Sequence, residues 1–152
     1  MTAFDRTIAV TADAKAAYAA LTTGFKYWWT NPEGTIQQVG DHAKFGFPPG
    51  VSYWTFEAVK LVPGKYVELL CIEASHKHKG QPKEIETEWL GTRVIWSIED
   101  AGGTTTITMR HVGLTPDLLC FDICVAGWDH FYTDSLKAYL NSGVGTPHRS
   151  NS

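Results

Sequence analysis

Cysteine is scarce in this chain, charge is nearly balanced, and long apolar runs are missing; each shortage removes a class of function. Three cysteines are an odd number, which argues against the disulfide framework of a secreted protein. Thirteen Lys and Arg against sixteen Asp and Glu leave a net charge of −3, with no basic excess and no block of like charge. Nucleic acid is therefore not an indicated partner. A spanning helix needs roughly 18 apolar residues in a row, and none occurs, so no membrane partner is expected. The opening MTAFDRTIAV lacks a charged region followed by an apolar one, so no signal peptide is evident. The expectation is a cytoplasmic protein with reduced thiols. Patterns of the GxSxG, Walker, GxGxxG and HExxH kinds are absent too. That leaves the case for an enzyme weak and indicates no cofactor.

Aromatic rings, by contrast, are plentiful: six Trp, six Tyr and seven Phe in 152 residues. They supply large burial and good walls for apolar pockets, although most simply make the core. A chain of this length fits one domain and buries a real core without staples.

The stretch that organises the chain is PDLLCFDICVAGWDHFYTDSLKAYLN, from Pro116 to Asn141. Phe121, Cys124, Val125, Trp128, Phe131, Tyr132, Leu136 and Tyr139 recur by threes and fours, which predicts one apolar stripe of a long helix. Asp129, Thr133 and Lys137 fall on its other side. Such a stripe needs a partner, and the upstream chain reads mostly as strands. Phe4 to Val10 alternates as a first strand. Thr11 and Asp13 offer N-caps to an Ala-rich helix that stops at Gly24, and a second short helical turn carries Lys26 to Trp29. Period-two patterns then predict strands at Thr35–Gln38, Ala43–Phe47, Tyr53–Leu61, Lys65–Ala74, Glu88–Ile98 and Thr104–Val112. The breaks between them include Pro48-Pro49-Gly50, Pro63-Gly64, a polar stretch His76–Lys83, and Gly102-Gly103. Short breaks imply an antiparallel meander. Trp54, Phe56 and Ala58 share one side of a strand, as do Val67, Leu69, Cys71 and Glu73; Val94, Trp96 and Ile98; and Ile107, Met109 and His111. The predicted class is α+β: a curved antiparallel sheet of about six to seven strands around a long C-terminal helix, with two short helices after the first strand. Residues 1–142 form the domain and residues 143–152 a flexible C-terminal tail.

This order of elements resembles the START-like (SRPBCC, helix-grip) superfamily. The local motifs resemble its AHSA-type branch, named after the activator of the heat-shock-protein-ninety ATPase. The carrying residues are Trp28-Trp29, Leu61-Val62-Pro63-Gly64-Lys65, Thr87-Glu88-Trp89 with Gly91-Thr92, and His111-Val112-Gly113-Leu114-Thr115-Pro116. Cys120-Phe121-Asp122 with Cys124, Trp128, Ser135-Leu136-Lys137 and the run Gly143 to Pro147 continue the match over nearly the whole chain. The resemblance implies a deep cavity between sheet and C-terminal helix, in which members of the superfamily bind lipids, hormones or polyketides and some catalyse cyclisation or hydrolysis.

Candidate chemistry is sparse. His111, on the inward side of the last strand, either orients a polar ligand atom, acts as a general base, or is a core histidine bonded to backbone. Glu73, on the inward side of its strand near an end, is either a rim carboxylate or a solvated one. His76 and His78 lie two apart but lack further ligands at matching spacing, so no metal is indicated. Cys120 and Cys124 read as buried small residues, because side chains on one helix make poor disulfide geometry. Ser135, within the helix's inward stripe, either contacts a ligand or leaves space for one. The function expected is non-catalytic binding of a small, largely apolar ligand, lipid-like or aromatic. Its lining would be Trp54, Phe56, Leu69, Trp96, Met109, His111, Trp128, Tyr132 and Ser135. Two alternatives stand beside it: a cavity cyclase or hydrolase with His111 as base, and a co-chaperone-like interaction module using the outer face of the sheet. A chaperone and a second copy of the chain are the protein partners to consider.

Overall fold

The computed structural model describes residues 4–47, 52–75, 87–119 and 121–147. Strand β1 (Phe4–Val10) buries Phe4, Ile8 and Val10 and exposes Asp5, Thr7 and Ala9, as alternation requires. Asp13 then caps α1 (Ala14–Ala20), its Oδ1 accepting from Ala16 N at 2.8 Å, and the helix buries Ala17 and Ala20. A 3₁₀ turn (Phe25–Tyr27) follows.

The meander consists of β2 (His42–Phe47), β3 (Ser52–Val62), β4 (Tyr66–Ser75), β5 (Arg93–Asp100) and β6 (Thr105–Val112). All pairs are antiparallel in the order β1-β6-β5-β4-β3-β2, so the first strand closes against the last. The four inward sets expected from alternation are buried except for Glu73, which is exposed near the end of β4, where a carboxylate keeps its hydration. Two expected strands change. Thr35–Gln38 is not a strand, because Asp41 Oδ2 accepts from Gln37 N (2.8 Å) and Gln38 N (3.0 Å) and folds the stretch into a side-chain-closed turn. Its alternation served only to bury Ile36. Likewise Glu88–Ile98 becomes a strand only at Arg93. The preceding residues form a turn in which Leu90 N donates to Thr87 O and Gly91 takes φ +84°. The polar stretch His76–Lys83, with its two histidines, the Pro48-Pro49-Gly50 break and Cys120 lie outside the described residues.

The C-terminal helix begins at Phe121, not Pro116, and has three parts: α2 (Phe121–Trp128), a π-helix (Asp129–Leu136) and α3 (Lys137–Ser142), closed by Gly143 at φ +87°. The π-helical centre answers the sequence. Cys124, Trp128, Tyr132, Leu136 and Leu140 are all buried and recur strictly every four residues. In an α-helix each step of four overshoots a full turn by about 40°, so four steps would carry Leu140 about 160° round from Cys124. Wider i→i+5 winding turns less per residue and cancels that drift. The helix is moored at both ends of β1: Arg6 Nε donates to Asp129 Oδ1 (2.9 Å) and Thr11 N to Asn141 Oδ1 (2.8 Å).

Residues 143–147 return to the body of the protein. Thr146 N donates to Ser135 Oγ at 2.7 Å, and a Cβ built on Gly145 would stand 2.6 Å from Tyr27 O and 3.0 Å from Ser135 O. Gly145→Val should therefore cost roughly 1–3 kcal/mol in urea unfolding, as overpacking against backbone does. A variant as stable as the parent would mean that this segment is not held against the helix.

Candidate functional site

The inner face of the sheet and the buried face of the helix meet through rings. Strands β2, β3 and β5 contribute Phe45, Phe56 and Trp96, the 3₁₀ turn and its exit contribute Phe25, Trp28 and Trp29, and the helix contributes Trp128. Trp29 stacks on Phe45 (centroids 4.4 Å apart, 24° between planes) and packs on Trp128 at 5.0 Å. Trp96 meets Trp28 edge-on at 6.3 Å and Trp128 at 6.4 Å. On the other flank Trp89 lies parallel to Trp128 (5.9 Å, 9°), close to Trp54 (4.8 Å) and edge-on to His111 (4.5 Å). Trp128 is the hub of both groups.

All nine residues expected to line the site are buried: Trp54, Phe56, Leu69, Trp96, Met109, His111, Trp128, Tyr132 and Ser135. Trp96 and Met109 are register partners on neighbouring strands, as are Leu69 and Val94, and Phe56 packs on Trp29 and Trp89. Tyr132 spends its hydroxyl on Ile107 O at 2.6 Å, with burial pushing its pKa well up. Ser135 has a different task from the one expected. Its Oγ donates to Trp28 O (2.7 Å) and accepts from Thr146 N (2.7 Å), so it clasps the 3₁₀ turn and the C-terminal segment. Sequence reasoning passed over Phe25, Trp28, Trp29, Phe45 and Trp89 as members of the site. The adjacent Trp28-Trp29 pair after an alanine helix was the available signal; Trp89 was hidden by being read as strand.

The polar chain through the site fixes the state of His111. Trp128 Nε1, which can only donate, gives its hydrogen to His111 Nδ1 at 3.1 Å. His111 Nδ1 is therefore the acceptor nitrogen, and Nε2–H donates to Thr92 Oγ1 at 2.9 Å. Thr92 in turn donates to Trp89 O at 2.7 Å. Both nitrogens of the imidazole are used, and burial lowers its pKa to about 3, so the ring is neutral and has no lone pair to take a substrate proton. Gly113 keeps the chain in register: it holds φ +104°, and a Cβ there would lie 2.6 Å from Thr92 Cγ2.

Two donors in the cluster stand outside this bookkeeping. Trp89 Nε1 and Trp96 Nε1 are buried and have no hydrogen-bond partner among the described residues. Their residues are 5 % and 0 % exposed. Elsewhere the chemistry is quiet. Cys71 and Cys124 are buried thiols, and burial pushes the Cys71 pKa up to about 12. Glu73 is exposed and accepts from Thr55 Oγ1 at 2.7 Å. No group of three or more His, Cys, Asp or Glu among the described residues is placed to hold a metal ion. No helix among them is long and apolar enough to cross a membrane.

Residues 11–141 match the family model of the Activator of Hsp90 ATPase homolog 1-like protein. The solution structure of the Aha1 dimer from Colwellia psychrerythraea is 29% identical, with a TM-score of 0.74 over 95% of this chain and 100% of that one. DynU16, from the dynemicin biosynthetic locus, is 16% identical with a TM-score of 0.70, over 94% of this chain and 48% of its own. CalU16 from Micromonospora echinospora is 14% identical with a TM-score of 0.61, over 95% and 76%. The last two share the fold. Among curated proteins none matches the chain.

Proposed function

We propose, from the premise that this chain belongs to the Activator of Hsp90 ATPase homolog 1-like family, that it binds a small, largely apolar molecule among the rings between sheet and helix. The carrying observation is the pair of buried indole N–H groups, Trp89 and Trp96, with no partner among the described residues. A buried donor left unmatched costs about 1–3 kcal/mol, and native interiors seldom leave two in one cluster. An occupant that reaches them recovers that energy. Since the rings touch one another, the occupant enters by parting them.

Catalysis draws no support from His111, whose two nitrogens are both engaged. Nile red, neutral and free of donors, is a suitable probe. We expect saturable binding of one dye per chain, with a blue-shifted emission and quenching of tryptophan fluorescence. Absence of saturable binding would remove the reading. Pairing of two copies is a second reading, favoured by the dimeric state named for the Colwellia psychrerythraea neighbour, and sedimentation of the native protein decides it. A chaperone-activating role is carried by the family's name and by no side-chain feature among the described residues.

A further inference from the structure

We infer that the occupant is an uncharged molecule that accepts hydrogen bonds and donates none; the inference rests on the binding reading above and specifies its ligand. Most polar side-chain atoms around the rings are matched within the protein. Trp28 Nε1 donates to Ala20 O at 2.8 Å, and Trp128 Nε1 to His111 Nδ1. His111 Nε2 is bonded to Thr92, Thr92 to Trp89 O, and Tyr132 to Ile107 O. Ser135 both gives and receives. The side-chain acceptors that border these rings, His111 Nδ1, Thr92 Oγ1 and Ser135 Oγ, each already have a donor. What is left open is two N–H groups, on Trp89 and Trp96, one on each flank of Trp128.

Open donors beside acceptors that are already filled sort ligands by polarity. A ketone, ester or ether oxygen meets an indole N–H and completes it. A hydroxyl or amine brings a hydrogen of its own that must be buried unmatched. A carboxylate brings a charge into an interior where, among the described residues, the buried imidazole of His111 stays neutral and no cation lies among the rings to meet it. The near-parallel planes of Trp89 and Trp128, 9° apart, suit a flat body.

A matched tricyclic series tests this: fluorenone, fluorene, 9-hydroxyfluorene and fluorene-9-carboxylate, titrated by calorimetry into the full chain. Fluorenone should bind about tenfold more tightly than fluorene, the worth of one net hydrogen bond, and more tightly than 9-hydroxyfluorene, while the carboxylate shows no saturable binding. In ¹⁵N–¹H spectra, fluorenone should shift at least one of the six indole N–H resonances downfield, where fluorene does not. In Trp96→Phe or Trp89→Phe the fluorenone-to-fluorene affinity ratio should fall toward one. Equal affinities across the series in the parent protein, or tightest binding of the alcohol or the acid, would overturn the acceptor-only inference and leave the binding reading standing. If all four compounds and Nile red fail to bind, the binding reading falls and the inference with it. The parent-protein series decides the matter even if a tryptophan variant does not fold.

Discussion

Trp128→Ala is expected to destabilise the protein by roughly 3–5 kcal/mol, the range for removing a large buried aromatic side chain. Two terms add. The indole is 2 % exposed and packs on Trp29, Trp89, Trp96 and His111, so its loss opens a hole bounded by rings that are themselves pinned by neighbours. It also strips His111 Nδ1 of its donor, leaving a buried acceptor unmatched at about 1–3 kcal/mol. Trp128→Phe keeps a six-membered ring in the contact while losing the N–H and the smaller ring of the indole. We expect it to fall between parent and alanine variant in urea unfolding followed by circular dichroism. A loss below about 1 kcal/mol for Trp128→Ala would show that the helix is not gripped through this side chain.

The elements that carry the grip were legible because burial there follows a simple period. Strands β5 and β6 alternate cleanly, and the apolar inward residues of β3 and β4 went where alternation sends them despite two register shifts between those strands. The two expected strands that changed did so for one reason. Local hydrogen bonds made a turn in place of a ladder: Asp41 Oδ2 closes the one at Gln37–Gln38, and Leu90 N to Thr87 O and Thr92 N to Trp89 O close the one ahead of β5. A period-two pattern does not register such competition. The helix was legible as a helix but not in its winding. Its five buried residues at steps of four fit neither a pure α-helix nor a strand, and a search at 3.6 residues per turn admits Tyr139 and omits Leu140. Of the site, the sheet residues and Trp128 could be read from their faces, whereas Ser135 could not. A hydroxyl on the inward stripe looks the same in sequence whether it faces a ligand or clasps Trp28 O. His111 illustrates the same limit. Its inward face was readable, but its protonation state depends on Trp128 and Thr92, seventeen and nineteen residues away in sequence.

That protonation state makes the fold acid-sensitive in a particular window. Burial lowers the His111 pKa from 6.5 to about 3 in the folded protein. Below pH 6.5 the unfolded chain takes up a proton at this residue that the folded chain refuses. The contribution of His111 to stability is therefore fully present above pH 6.5 and is lost progressively as pH falls toward 3. The slope is about 1.4 kcal/mol per pH unit, so roughly 2 kcal/mol should disappear between pH 6.5 and pH 5. Protonation also has a structural reason to be refused: an imidazolium could no longer accept from Trp128 Nε1, and the link between strand β6 and the helix would break. His111→Gln supplies the control, since an amide offers both an acceptor and a donor at that position but does not titrate. The measurement is urea unfolding of both proteins at pH 6.5 and pH 5. The parent should lose about 2 kcal/mol more than the variant over this interval. Among the described residues, His42 and His130 are exposed and are common to both proteins, so the difference isolates His111. If the two proteins lose stability in parallel, His111 is not held neutral by the fold, and the hydrogen-bond chain from Trp128 to Trp89 does not lock the helix as described.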